Sequence, residues 1–217
     1  MSHVYVHHRI EAAPRQWNAV AGQIVATGTP RVEAAGGALF GVWRSQIGRP
    51  RDELTAMSVW PDDGQVHRAT GLLLDGVTDC RAQVSVAMVP TLRPAVPDAP
   101  KRQGNYAFRW FVTPPAHWEE FLSLCQSAWP GFEAAYDSQV IGLWRCREAA
   151  DDGGVRSLLL TRRPDLGTWE RSKIPQGEAE AVVREKLSRR YDLCDWTCVS
   201  TATLITATDR EDTARWT

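Results

Sequence analysis

The chain has 217 residues, with 25 Lys+Arg against 26 Asp+Glu and a formal net charge of -1. That balance supplies no global positive field for phosphates, which argues against a nucleic-acid partner. No window approaches the ~18 consecutive apolar residues of a membrane helix, and the start, Met1-Ser2-His3-Val4-Tyr5, lacks a basic region followed by an apolar stretch. The expected setting is cytoplasmic, with no membrane partner. The five cysteines, Cys80, Cys125, Cys146, Cys194 and Cys198, are odd in number and mostly far apart, as reduced thiols are. Cys194 and Cys198 are a C-x3-C pair, but no second pair stands at zinc-like spacing, so no metal is expected.

In chain order, Val4–Ile10 alternates as a strand, and Pro14 precedes a helix carrying Trp17, Val20, Ala21 and Ile24 on one stripe. Gly28 and Pro30 are expected to stop that helix. Gly36-Gly37 opens a strand over Leu39–Ser45, and Gly48-Arg49-Pro50 turns it into another over Leu54–Trp60. Pro61-Asp62-Asp63 reads as a helix start with a capping Asp, and Val84–Val89 as a fourth strand. Pro90, Pro94, Pro97 and Pro100 then favour an extended, semi-rigid linker.

The order then repeats. Strand Tyr106–Val112 is followed by a helix with Trp118, Phe121, Leu122 and Cys125, then by strands Val140–Arg145 and Val155–Arg162, a helix over Glu178–Arg190 and a last strand over Trp196–Ile205. Gly41-Val42-Trp43-Arg44 returns as Gly142-Leu143-Trp144-Arg145, and 142 minus 41 is 101, the offset that also relates Tyr5 to Tyr106, Pro14 to Pro115 and Trp17 to Trp118. Two copies at so long a period read as a duplicated domain. The expected organisation is a first half over 1–90, a linker over 91–104, a second half over 105–208 and a tail over 209–217 that contains Trp216. The order βαββαβ is the ferredoxin-like plan. The fold class is therefore α+β, two ferredoxin-like halves packed sheet to sheet as a pseudo-twofold α/β barrel.

Gly37-Ala-Leu-Phe-Gly41-Val-Trp43-Arg-Ser45-Gln-Ile47-Gly48, running on to Val59-Trp60-Pro-Asp-Asp63 and Arg68, resembles the NIPSNAP family of the dimeric α/β-barrel superfamily. That family has a Gly-x-Trp strand, a Thr-Glu-Ile-Gly turn and a Leu-Trp strand end followed eight residues later by Arg, a spacing that Trp60 and Arg68 keep. In the second copy Gly142, Trp144, Asp165 and Arg171 match. Gln46 stands where the family has Glu, and Arg163 replaces the strand-end Trp, so one family carboxylate is missing. The resemblance implies a barrel with a candidate pocket, and it places His8 and Arg109 at the family's strand-one Arg.

Alternation puts Val6, His8 and Ile10 on one strand face, with Ala107, Arg109 and Phe111 matching them. The family pattern favours the barrel interior for this face. His8 is then the candidate proton carrier and Arg109 the holder of developing negative charge. Trp43 and Trp144, with Arg44 and Arg145 on the opposite face, are expected to point inward and, with Val6 and Phe111, to contact a flat ligand. Asp62 and Asp165 read as helix caps, and Arg68 and Arg171 as structural partners. No phosphate-binding glycine loop is present.

The leading expectation is a small-molecule enzyme, in a setting such as secondary metabolism, using no cofactor for proton transfer or oxygenation of a planar or carbonyl substrate. Haem use, with His8 as axial ligand, and a non-catalytic ligand-binding scaffold are the alternatives. The different first strands, His7-His8-Arg9 against Phe108-Arg109-Trp110, point to one asymmetric pocket. Whether the chain forms a homodimer is left open.

Overall fold

The computed structural model describes residues 3–209; the expected tail with Trp216 lies outside the described residues. Strand β1 (Val4–Ala12) leads into α1 (Trp17–Gln23), a π-helical turn (Ile24–Gly28) and α2 (Thr29–Ala34). The helix thus continues past Gly28 and Pro30 instead of stopping there. Pro30 sits in the first turn of α2, where no amide donor is needed. A Cβ on Gly28 would lie 2.3 Å from the Leu73 carbonyl oxygen, so this glycine permits a close helix approach. The hairpin β2 (Ala38–Ile47) and β3 (Glu53–Trp60) follows. Asp62 does not cap the next helix: it accepts from the Gly64 amide at 2.7 Å in a turn, and helix begins only with a 3-10 turn (Val66–Arg68) and α3 (Ala69–Leu74). Strand β4 (Cys80–Arg93) is longer at both ends than expected.

The remaining elements are β5 (Asn105–Thr113), α4 (Trp118–Tyr136), β6 (Gln139–Cys146), β7 (Val155–Arg163), α5 (Leu166–Arg171), α6 (Glu178–Asp192) and β8 (Trp196–Leu204). Asp165 does cap α5, accepting from the Thr168 amide at 2.6 Å. Among the described residues no helix is long and apolar enough to cross a membrane.

The described residues form two compact units, one of residues 3–90, 96–103 and 200–209 and one of residues 91–95 and 104–199. This departs from contiguous halves. The end of β8 pairs with β2 in the first unit, whereas its beginning lies beside β5 in the second, where Thr197 Oγ1 donates to the Trp110 carbonyl at 2.9 Å. The end of β4 belongs to the second unit, where Thr91 Oγ1 donates to the Leu143 carbonyl at 2.8 Å. The first unit has the antiparallel order β4-β1-β3-β2 and the second β5-β7-β6. Each is α+β.

One face of each sheet is covered by helices of its own unit. In the first, Val6, Ile10, Val42, Leu54, Ala56 and Trp60 pack against Trp17, Val20, Ile24, Val32 and Leu73. In the second, Phe111, Val140, Leu143, Val155 and Leu159 pack against Phe121, Cys125, Trp129, Phe132 and Val183. Burial of each such large apolar side chain contributes about 1.5–3 kcal/mol.

The repeated Gly-x-Trp is a packing device within one strand. Gly and Trp two residues apart share a face, and a Cβ would lie 2.5 Å from the Trp43 ring at Gly41 and 2.4 Å from the Trp144 ring at Gly142. Both tryptophans are fully buried. The strand pairing shifts register just before each glycine, between Leu39 and Gly41 and between Val140 and Gly142. Gly41→Ala and Gly142→Ala are each expected to lower unfolding free energy by about 1–3 kcal/mol through overpacking, measured by chemical denaturation; an unchanged midpoint would mean that the indole has room to move.

Candidate functional site

The strand-one face that carries the candidate residues lies under the helices, which corrects the expectation that it lines a barrel interior. Val6 and Ile10 belong to the core beneath α1 and α3, and Phe111 to the core beneath α4 and α6. Trp43 and Trp144 face the other way: their neighbours Val42 and Leu143 are in the helix-packed cores, and Arg44 lies over the Trp17 ring at 3.9 Å. Val6 and Phe111 therefore do not share a surface with Trp43 and Trp144. The four do not line one pocket.

Register shows which positions correspond. His8 pairs with Ala56 and Arg109 with Leu159; Val6 pairs with Ser58 and Ala107 with Thr161; Val4 pairs with Trp60 and Asn105 with Arg163. Trp60 and Arg163 thus hold the same place in their sheets. In the first unit that place is filled. Trp60 is 1% exposed and its Nε1 donates to Ser58 Oγ at 3.0 Å. Ser58 Oγ lies 3.2 Å from His8 Nε2, while Ser85 Oγ and Thr70 Oγ1 lie 3.0 and 3.3 Å from His8 Nδ1. Both ring nitrogens are engaged by hydroxyls, and burial lowers the His8 pKa to about 3. At neutral pH His8 is an uncharged, fully enclosed imidazole.

In the second unit the Trp is an Arg, and a cleft opens between the sheet and α4 and α6. Arg109, Thr161 and Arg163 come from strands, Trp129 and Phe132 from α4, and Arg184, Arg190 and Tyr191 from α6. Ser172 and Lys173, from the turn after α5, also line it. That turn is tied down by Glu180, which accepts from Arg171 Nη2 at 2.7 Å, from the Gln176 amide at 2.7 Å and from the Tyr136 hydroxyl at 3.0 Å. The cleft is narrow and partly open to solvent.

Five cations line this cleft and no carboxylate does. Arg190 is 3% exposed and lies against the rings of Phe111 and Tyr191, both at 5.0 Å, with its Nη1 donating to Cys125 Sγ at 3.7 Å. Arg163 is 7% exposed, donates from Nη1 to Thr161 Oγ1 at 3.0 Å and lies 5.1 Å from the Phe132 ring centre. Burial, then Arg109 and Arg190, push its pKa down to about 10, which still leaves it charged at neutral pH. Lys173 is lowered by burial and by Arg109, Arg184 and Arg163. Burial alone would raise the Tyr191 hydroxyl, but Arg190, Arg109 and Lys173 outweigh it and the net direction is down. Arg109 lies 5.2 Å from the centre of the Tyr191 ring.

Of the candidates named from sequence, Arg109 lines this cleft and His8 does not. Arg163, Arg184, Arg190, Lys173 and Tyr191 were not singled out for the site. A signal was present in α6: Val183, Leu187, Arg190 and Tyr191 fall on one helical stripe, and an Arg on an apolar stripe is anomalous.

No family model matches the chain, and no curated protein is significantly similar to it. Solved structures are similar in fold. A monooxygenase-type protein of Lactobacillus acidophilus NCFM is 11% identical over 95% of this chain and 98% of its own, with a TM-score of 0.58. A chlorite dismutase of Candidatus Nitrospira defluvii is 10% identical over 93% and 90%, with a TM-score of 0.60. An anthrone oxidase-like protein is 15% identical over 94% and 91%, with a TM-score of 0.53. These are dimeric α/β-barrel proteins, and the likeness is one of fold.

The expectation of a protein without cofactor is corrected by this comparison, because chlorite dismutases are haem-dependent and their matching structures include complexes with cyanide and imidazole. The residues of the cleft as they stand do not fit a haem. No imidazole, thiolate or thioether lines the cleft. Tyr191 is the one lining side chain of a type that ligates haem iron, and Arg190 already interacts with its hydroxyl. Nor is His8 an axial ligand, since hydroxyls hold both of its nitrogens.

The buried histidines predict a pH dependence of stability. His7, through burial and then His8, and His8, through burial, are both lowered to about 3. Each takes up a proton on unfolding once pH falls below the ordinary value of about 6.5, so stability falls with pH from there towards 3, by up to about 1.4 kcal/mol per pH unit for each residue. His8→Gln is expected to flatten the slope between about pH 6 and pH 4 by close to one proton. Denaturant titrations across that range measure it, and an unchanged slope would mean that His8 is already protonated in the fold.

Proposed function

We propose that the chain is a small-molecule enzyme whose active site is the cationic cleft of the second unit. Its substrate carries an acidic C–H or O–H next to a carbonyl. In its ionised form Tyr191 takes that proton on its phenolate oxygen, and the electron pair left behind moves onto the substrate oxygen, where Arg109 holds it. The observation that carries this reading is Tyr191 in the cleft with its pKa lowered despite burial, because Arg190, Arg109 and Lys173 surround it. The oxidase-like and monooxygenase-type names of the fold neighbours support an enzyme of this kind, since removing a proton to form an enolate or phenolate prepares a substrate for oxidation.

We further read the units as two copies of one half. Landmarks at a common offset, matching register shifts and the shared Gly-x-Trp packing support this. In that reading the first copy has closed its cleft with Trp60 and the second has kept one, and the NIPSNAP resemblance extends across both. His8 then serves packing and not proton transfer.

An ultraviolet titration of the wild type against Tyr191→Phe is expected to show one tyrosine ionising below the ordinary value of about 10 that is missing from the variant. Deuterium exchange into enolisable carbonyl probes is expected to rise with pH as Tyr191 ionises, and to drop by about 10²-fold or more in Tyr191→Phe. A Tyr191 that ionises at or above the ordinary value, or exchange indifferent to its removal, would refute the assignment.

A further inference from the structure

Three donor atoms of the cleft lining have no hydrogen-bond partner: Arg163 Nε, Arg190 Nε and Trp129 Nε1. Their residues are 7%, 3% and 3% exposed. Trp129 and Arg190 come from different helices and Arg163 from a strand end, so packing of a single element does not account for the coincidence. All three atoms are donors. A buried donor left unpaired is costly, and buried guanidinium charge without a counter-charge more so. In the first unit the corresponding register position holds Trp60, whose indole fills the space and finds an acceptor in Ser58.

We infer that the second unit's cleft is built for a ligand bearing a carboxylate, held by Arg163 and Arg190, whose planar carbon frame lies against Trp129 and Phe132. The inference rests on the reading of this cleft as the active site and adds the substrate class. A carboxylate offers acceptors only, and its two oxygens match the guanidinium fork. The apolar lining of Val140, Phe132, Leu159 and Leu187 suits a conjugated hydrocarbon frame rather than a bare inorganic anion. Thr161 Oγ1 accepts from Arg163 at 3.0 Å, which leaves its own hydrogen available to the ligand. Arg109 and Tyr191 remain for the reacting end of the molecule.

The test is thermal unfolding of the full chain with sodium benzoate as the probe, against sodium chloride and sodium phosphate at equal ionic strength. Benzoate at roughly ten times its half-effect concentration is expected to raise Tm by about 3–6 °C, with little change from the other salts. Arg163→Met is expected to unfold at or above the wild-type temperature without ligand, because it removes a buried unpaired charge, and to lose the benzoate shift. An equal shift from chloride or phosphate, or a full benzoate shift in Arg163→Met, would overturn the carboxylate assignment. Should Arg163→Met fail to fold, Arg163→Lys is expected to bind benzoate about tenfold more weakly by calorimetry, and unchanged affinity would overturn it. Tyr191→Phe is expected to keep the shift. If it does while proton exchange is unaffected, the proton-transfer role fails and the carboxylate site stands; if the wild type shows no shift, the carboxylate site fails and Tyr191 is judged by its own titration.

Discussion

A guanidinium taken out of water loses several kcal/mol of solvation, and a protein recovers that by pairing the charge, by laying it on aromatic faces or by leaving it for a ligand. Arg9 and Arg93 use the first solution. Glu53 takes two hydrogen bonds from Arg9, at 3.0 and 2.7 Å, and Glu133 takes one from Arg93 at 2.8 Å. No acid lines the cleft of the second unit, and Arg163 and Arg190 rest on aromatic rings instead. Cation–π contacts of this kind are worth about 0.5–2 kcal/mol, less than the solvation lost. The balance left over is what makes this cleft receptive to negative charge, and it is what keeps Tyr191 more acidic than a buried tyrosine would otherwise be.

The same framework handles the corresponding place in the first unit differently, and one side chain makes the difference. With Trp60 at the end of β3, the space between sheet and helices closes and the polar groups there, His8, Ser58, Ser85 and Thr70, satisfy one another. With Arg163 at the end of β7, the volume is not filled and the charge is not met. Two similar layers of sheet and helix thus meet their polar groups in different ways. One is closed by packing and internal hydrogen bonds, and the other holds an unsatisfied set of donors on an otherwise apolar scaffold.

Much of this framework was legible in the sequence because it rests on short-range patterns. Alternation and glycine turn signals located the eight strands of the described residues, and Asp165 was recognisable as a cap because an Asp before a helix has a local job. The helix through Gly28 and Pro30 was not, since Gly and Pro are ordinary stop signals, whereas here Pro30 starts a new helical turn and Gly28 admits the Leu73 backbone from a distant part of the chain. Nor was the exchange of strand ends between the units, which depends on which partners β4 and β8 find at each end. The orientation of the strand-one face is not legible, because a single alternating strand does not say which of its faces meets helices. Arg109 was identifiable as an oddity, whereas Tyr191 and Arg190 acquire meaning only when α6 is laid over β5 and β7. The replacement of a strand-end Trp by Arg163 was visible, but its consequence, an opened cleft, required the packing around it.

The most direct test of the central claim is anomalous diffraction from crystals soaked in 4-bromobenzoate. One ordered bromine site is expected in the second unit, with the carboxylate on Arg163 and Arg190 and the ring beside Phe132, and no site against Trp60 and His8. A bromine site at Trp60, or none in the second unit's cleft at a concentration that fills weaker surface sites, would contradict it.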